Sequence, residues 1–133
     1  MRVKQRTIAS LYSDPSNARL HSRVNLDAIR ASLLKFGQQH PLVCTEDGMV
    51  VAGNGRLAAM LELGWEKCAV VTTDLDGVAL AGFSIADNRT AELAEWDEDA
   101  LARTLMALRD DDDSDVADTG FDAEALAEAL RAG

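Results

Sequence analysis

The chain has 133 residues, of which 47% are hydrophobic and 5% aromatic, and carries a formal net charge of −10. That length sets one domain with at most an appendage, built on an aliphatic core. No run approaches the roughly 20 apolar residues of a membrane helix. Residues 1–91 hold 10 Lys/Arg against 9 Asp/Glu (+1), and residues 92–133 hold 3 against 14 (−11). A near-neutral body with an acidic tail argues against unaided, tight nucleic-acid binding and leaves such contact weak or indirect.

Residues 1–6 lack the apolar stretch of a secretion signal, so a cytoplasmic protein without a membrane partner is expected. Thr7 to Tyr12 suggests a short strand, followed by a turn cluster at Ser13-Asp14-Pro15-Ser16-Asn17. Asn25 or Asp27 is expected to cap a helix running to about Phe36, with Leu26, Ile29, Leu33 and Phe36 at helical spacing and Gly37 as its stop. Pro41 to Thr45 and Met49 to Ala52 read as strands joined by the hairpin signal Asp47-Gly48.

A helix from Arg56 should bury Leu57, Met60 and Leu61 and end near Gly64. Cys68 to Thr72 reads as a strand buried on both faces. Asp74 or Asp76 opens a long helix through Val78, Leu80, Ala81 and Ile85 that reaches Asp87-Asn88-Arg89. Asp97 is a good N-cap for a helix with Leu101, Leu105 and Leu108 on one face, and Trp96 is expected to anchor the last helix in the core. Residues 110–119 read as a solvated acidic linker, without the glycine and glutamate spacing of an EF-hand. Phe121 to Leu130 reads as a short amphipathic helix that needs something to dock on. The organisation expected is therefore a domain over 1–109 and an acidic linker with a short helix over 110–133. Cys44 and Cys68 are expected to be buried free thiols.

The segment with chemical content is Gly53-Asn54-Gly55-Arg56, between an apolar strand and a helix. Small residues let the backbone approach a ligand. The free N–H groups and dipole of a helix start favour an anion, and the planar fork of Arg56 suits phosphate. His21 and His40 are isolated, and too few ligands surround them for a metal, so a structural or solvent role is the expectation.

Three stretches in register resemble the N-terminal domain of the ParB family, in the ParB/sulfiredoxin superfamily: Phe36-Gly37-Gln38-Gln39-His40-Pro41-Leu42-Val43, Gly53-Asn54-Gly55-Arg56 and Ile85-Ala86-Asp87-Asn88-Arg89. The resemblance spans roughly residues 7–108 and includes Asn17-x-Arg19. It implies a compact α/β (α+β) fold, with a small mixed sheet flanked by helices. It also implies a pocket for a nucleoside triphosphate, CTP in the partition proteins, with Mg²⁺. Arg19, Gly53, Asn54, Gly55, Arg56 and Arg89 would face the phosphates, and Gly37 and Pro41 the base and sugar. Asp87 and Asn88 would face the metal, Asp87 being the candidate catalytic group.

Asn54 and Gly55 depart from the family's Gly-Glu-Arg-Arg box. The departure removes a carboxylate and a cation, leaving nucleoside triphosphatase activity open. A sulfiredoxin would carry its catalytic Cys at Asn54, so that activity is excluded. The variant box looks closer to phage and mobile-element domains that precede DNA methyltransferases. The expected function is a regulatory or accessory nucleotide-binding domain in DNA transactions. Its partners would be a DNA methyltransferase or other DNA-processing protein, or a second copy of the chain as a homodimer. The alternatives are a metal-dependent nuclease and a non-enzymatic interaction module using the acidic tail.

Overall fold

Asp47 and Gly48 close the hairpin at the centre of the sheet. Gly48 has φ 104°, and its N–H donates to the Thr45 carbonyl (3.0 Å). In the computed structural model, which describes residues 1–133, this turn joins β3 (Leu42–Cys44) to β4 (Met49–Ala52), with a register shift at Val43/Cys44. The other strands are β1 (Lys4–Thr7), β2 (Tyr12–Ser13) and β5 (Lys67–Thr72). They complete a mixed five-stranded sheet in the order β1-β5-β3-β4-β2. β1 runs antiparallel to β5, β5 parallel to β3, and β2 parallel to β4.

The strand expected over 7–12 is split. β1 ends at Thr7, and the Ser10 hydroxyl donates to the Thr7 carbonyl (2.7 Å), closing a short 3₁₀ turn over Ile8–Ser10. The turn drops Ile8 into the core and lets Tyr12 resume as an edge strand beside Met49. Arg6 fastens this corner by donating to Ser10 Oγ (3.0 Å) and to the Glu46 carbonyl (3.0 Å).

Helix α1 (Arg23–Phe36) starts two residues before the expected Asn25 cap. Its N-cap is Ser22, whose hydroxyl accepts from the Asn25 N–H. Asp27 instead pairs with Arg23 one turn back. Gly37, at φ 72°, ends the helix as expected. Helix α2 (Asn54–Glu62) likewise starts ahead of Arg56, with Gly53 as its N-cap. Arg23 grips Glu62 through two hydrogen bonds (2.9 and 2.6 Å), tying α1 to α2.

One face of the sheet carries the main core. Leu33 of α1 and Leu57, Ala59 and Met60 of α2 pack with Leu42, Val50, Cys68 and Val70. Val71 and Val51 are buried outside this cluster, so the central strands are covered on both sides. Cys44 and Cys68 are buried and free. Leu61 and Phe36 are corrections to the expected faces: Leu61 is 59% exposed and Phe36 is exposed as well. The sheet contacts only a narrow stripe of each helix, and both residues fall beside it.

Helix α3 (Gly77–Leu93) is longer than expected, so Asp87-Asn88 lies within the helix rather than at its end. It packs on β4, with Leu80 and Ser84 buried, while Val78 and Ile85 face outward. Asp97 caps α4 (Glu98–Arg109) by accepting from the Ala100 N–H. Trp96 is not a core anchor: it is 68% exposed and meets Phe121 edge-on at 6.0 Å. The acidic stretch is more ordered than a solvated linker. Val116–Thr119 forms a 3₁₀ turn that packs on α1 and buries Val116, and Lys35 donates to the Asp113 carbonyl (2.6 Å). Helix α5 (Ala123–Ala132), capped by Asp122, docks on α4.

Leu57 is 1% exposed, so Leu57→Ala should cost about 2–5 kcal/mol in urea unfolding. Leu61→Ala should stay within about 0.5 kcal/mol. At Gly53, φ is 101° and a Cβ would lie 2.5 Å from Leu42 Cδ2. Gly53→Ala should therefore lower stability by about 1–3 kcal/mol in the same assay.

Candidate functional site

The turn from β4 into α2 fixes the site. The Gly53 carbonyl accepts from the Leu57 N–H (2.8 Å). The N–H groups of Asn54, Gly55 and Arg56 precede that first helical bond and have no partner within the helix. Asn54 is 8% exposed, and its Nδ2 donates to the Val50 carbonyl (2.9 Å), pinning the helix start to the strand. That bond orients the amide and leaves Asn54 Oδ1 buried without a partner. A buried acceptor in this state costs about 1–3 kcal/mol until a donor reaches it.

These residues floor a cavity of about 350 Å³. The loop before α1 supplies Asn17, Arg19 and His21, and α3 supplies Asp87 and Asn88. The structure thus brings together Arg19, Gly53, Asn54, Gly55, Arg56, Asp87 and Asn88 from three separate parts of the chain. Arg56 folds back over Gly53 and donates to the His40 carbonyl (2.9 Å). Burial pulls its guanidinium below the usual arginine value, and the Asp87 carboxylate opposes that shift.

Three expected residues fall outside this lining. Gly37 caps α1 and Pro41 leads into β3, so that loop meets the site through the His40 carbonyl on Arg56. Arg89 lines an adjoining cavity of about 260 Å³ with Asp14, Ser84, Ile85 and Glu92, and Arg19 and Asn88 border both. Glu92 pairs with Arg19 and with Arg89 (3.2 Å), so one carboxylate holds two of the expected phosphate-side cations. His21 and Glu92 are the neighbours that residue type alone did not single out. His21 is isolated in sequence, and Glu92 looks like an ordinary helix-surface charge.

Asp87 is the one carboxylate lining the larger cavity. No three His, Cys, Asp or Glu side chains converge to hold a metal ion. A metal held by the protein alone does not fit this donor set. Asn88 Nδ2 donates to the Ser84 carbonyl (3.0 Å), leaving its amide oxygen as a second oxygen donor beside Asp87. No helix is long and apolar enough to cross a membrane.

Sheet order and flanking helices give an α/β fold of ParB/sulfiredoxin-like architecture. The particular likeness is to the chromosome-partitioning protein ParB. The chain is similar to C-terminally truncated ParB from Caulobacter crescentus complexed with CTP-gamma-S, at 20% identity and TM-score 0.80, covering 98% of this chain and 78% of that one. Against the same truncated ParB complexed to the centromeric parS site it has 19% identity and TM-score 0.53, covering 96% and 70%. Against a Pnob8-like ParB-N domain the values are 18% and 0.58, covering 82% of this chain and 45% of that one. No family model and no curated protein matches the chain.

Arg89 and Arg19 hold the Glu92 carboxyl below its ordinary value of 4.5. The pairing is therefore present above that value and lost as pH falls through the lowered one. In a carboxyl-carbon NMR titration, Arg89→Ala should move the Glu92 midpoint up toward 4.5; an unchanged midpoint would mean that the pair does not persist in solution.

Proposed function

We propose that the chain is a ParB-like nucleotide-binding domain, taking a nucleoside triphosphate as its Mg²⁺ complex. The observation that carries this reading is the convergence of Arg19, Arg56 and the open N–H groups of α2 on one cavity. Phosphates suit that site because helix dipole, free donors and guanidinium charge act in the same direction. Gly53 and Arg56 hold the phosphate side, with Arg89 joining from the adjoining cavity when Glu92 releases it. Gly37 and Pro41 shape the base and sugar side through their loop. Asn54 Oδ1 takes a donor from the ligand or its bound water.

The Mg²⁺ arrives with the nucleotide. Phosphate oxygens and waters fill most of its coordination sphere, and Asp87 and Asn88 contribute the protein's oxygens. The likeness in fold to ParB complexed with CTP-gamma-S supports a nucleotide as the ligand. Asp87 is the candidate catalytic group if the triphosphate is hydrolysed. A two-metal nuclease is disfavoured, because such sites draw on several carboxylates and this cavity has one. The Gly-Asn-Gly-Arg form of the box supports an accessory role in phage or mobile-element DNA transactions, beside a DNA methyltransferase or other DNA-processing protein. Pairing of two copies and use of the acidic tail as a contact surface belong to the same proposal.

The test is calorimetric titration of ATP, CTP, GTP and UTP, each with Mg²⁺. One nucleotide should bind, and Arg56→Ala should weaken it about tenfold to a hundredfold, the value of a hydrogen bond to a charged group. At 100 times its dissociation constant the ligand should add about 2.7 kcal/mol to stability. Silence from all four at millimolar concentration would overturn the reading.

A further inference from the structure

His21 lies across the first turn of α2. A Cβ at Gly55 would stand 2.5 Å from His21 Cε1, 2.8 Å from Nδ1 and 3.0 Å from Nε2. No side chain larger than hydrogen fits beneath the ring in this position. The glycine and the histidine therefore form a matched pair, one making the space that the other fills. The ring is also oriented. His21 Nδ1 lies 2.6 Å from Asn25 Oδ1, and an amide oxygen can only accept, so Nδ1 carries a proton. Nε2 is then the lone-pair nitrogen of the neutral ring and becomes a second donor when the ring is protonated.

We infer that His21 is a binding residue for the anionic part of the ligand, supplying a titratable positive charge at the helix start where Gly55 supplies none. This rests on the nucleotide-binding reading above. The charged groups lining the same cavity are Arg19 on the His21 loop, Arg56 on α2 and Asp87 on α3. An entering phosphate favours the charged imidazole: one proton passes from solvent to Nε2, and the imidazolium donates to a phosphate oxygen. Binding and proton uptake are thereby linked, and affinity declines as rising pH removes that proton.

The experiment titrates CTP and, separately, inorganic tripolyphosphate, each with Mg²⁺, into the full chain between pH 5.5 and 8. A phosphate's own second ionisation, near pH 6, acts in the opposite direction, so the readout is the difference between wild type and His21→Gln. Wild type should lose about tenfold more affinity across this range than His21→Gln. It should also take up a proton on binding, seen as a dependence of the heat on buffer ionisation enthalpy. Gly55→Ala, which displaces the ring without removing it, should behave like His21→Gln, and the double variant should be no weaker than either single one.

The chain has two histidines, so His40→Gln assigns the His21 ring proton in NMR spectra. Its titration midpoint should rise when ligand saturates the site. If both probes bind and His21→Gln keeps the wild-type pH slope, this inference falls and the nucleotide reading stands. If neither probe binds wild type at any pH, both fall.

Discussion

The left-handed backbone at Gly53 is the constraint on which the site depends. At φ 101° the chain leaves β4 and enters α2 without an intervening loop, in a space that a Cβ could not share with Leu42. The same turn sets the first helical bond from Leu57, presents three free N–H groups, and allows Asn54 to reach back to Val50. Leu57 and Met60 follow into the core on one side of that helix. Folding energy and ligand geometry thus meet in one residue. A relaxed turn would misplace both the core face of α2 and its open end.

Around this fixed point the charges are held to different degrees. Arg56 is half-buried and anchored to a backbone carbonyl, so its place is determined while its charge remains available. Arg19 and Arg89 share Glu92 in exposed pairs, of a kind worth about 0–1 kcal/mol. Such pairs rest the loop before α1 against α3. The cavity thus has a floor fixed by backbone hydrogen bonds and a rim held by exposed ion pairs.

Much of this was legible in the sequence where the signal is local. The Asp47-Gly48 hairpin, the apolar strands on either side of it, the Gly37 stop and the Asp97 cap each depend on a few neighbouring residues, and each stands in the structure. The first strand misled because the turn at Ile8–Ser10 is made by a hydroxyl hydrogen bond that β-propensity does not encode. Phe36, Leu61 and Trp96 misled because they face outward, and hydropathy cannot say which helix face the sheet leaves uncovered. For the cavity, motif resemblance located Arg19, Gly53, Arg56 and Asp87 because their places follow the strand and helix order. It could not show that Gly37 and Pro41 stand off the lining. Nor could it show that His21 rests on Gly55, a contact that exists only once α1 and α2 have packed.

The parallel pairing of β3 with β5 has a consequence for the two thiols. Leu42 lies opposite Val70 in this register, so Cys68 sits two residues before that point and Cys44 two residues after it. The offset of four residues amounts to about 13 Å along the strands, roughly twice the Cα separation that a disulfide spans. Oxidation cannot join the two cysteines within the folded sheet, and burial raises the pKa of both thiols, keeping them in the unreactive protonated form. The pair is therefore a built-in clock for opening of the central sheet: a thiol reagent finds these sulfurs only when β3 and β5 expose them.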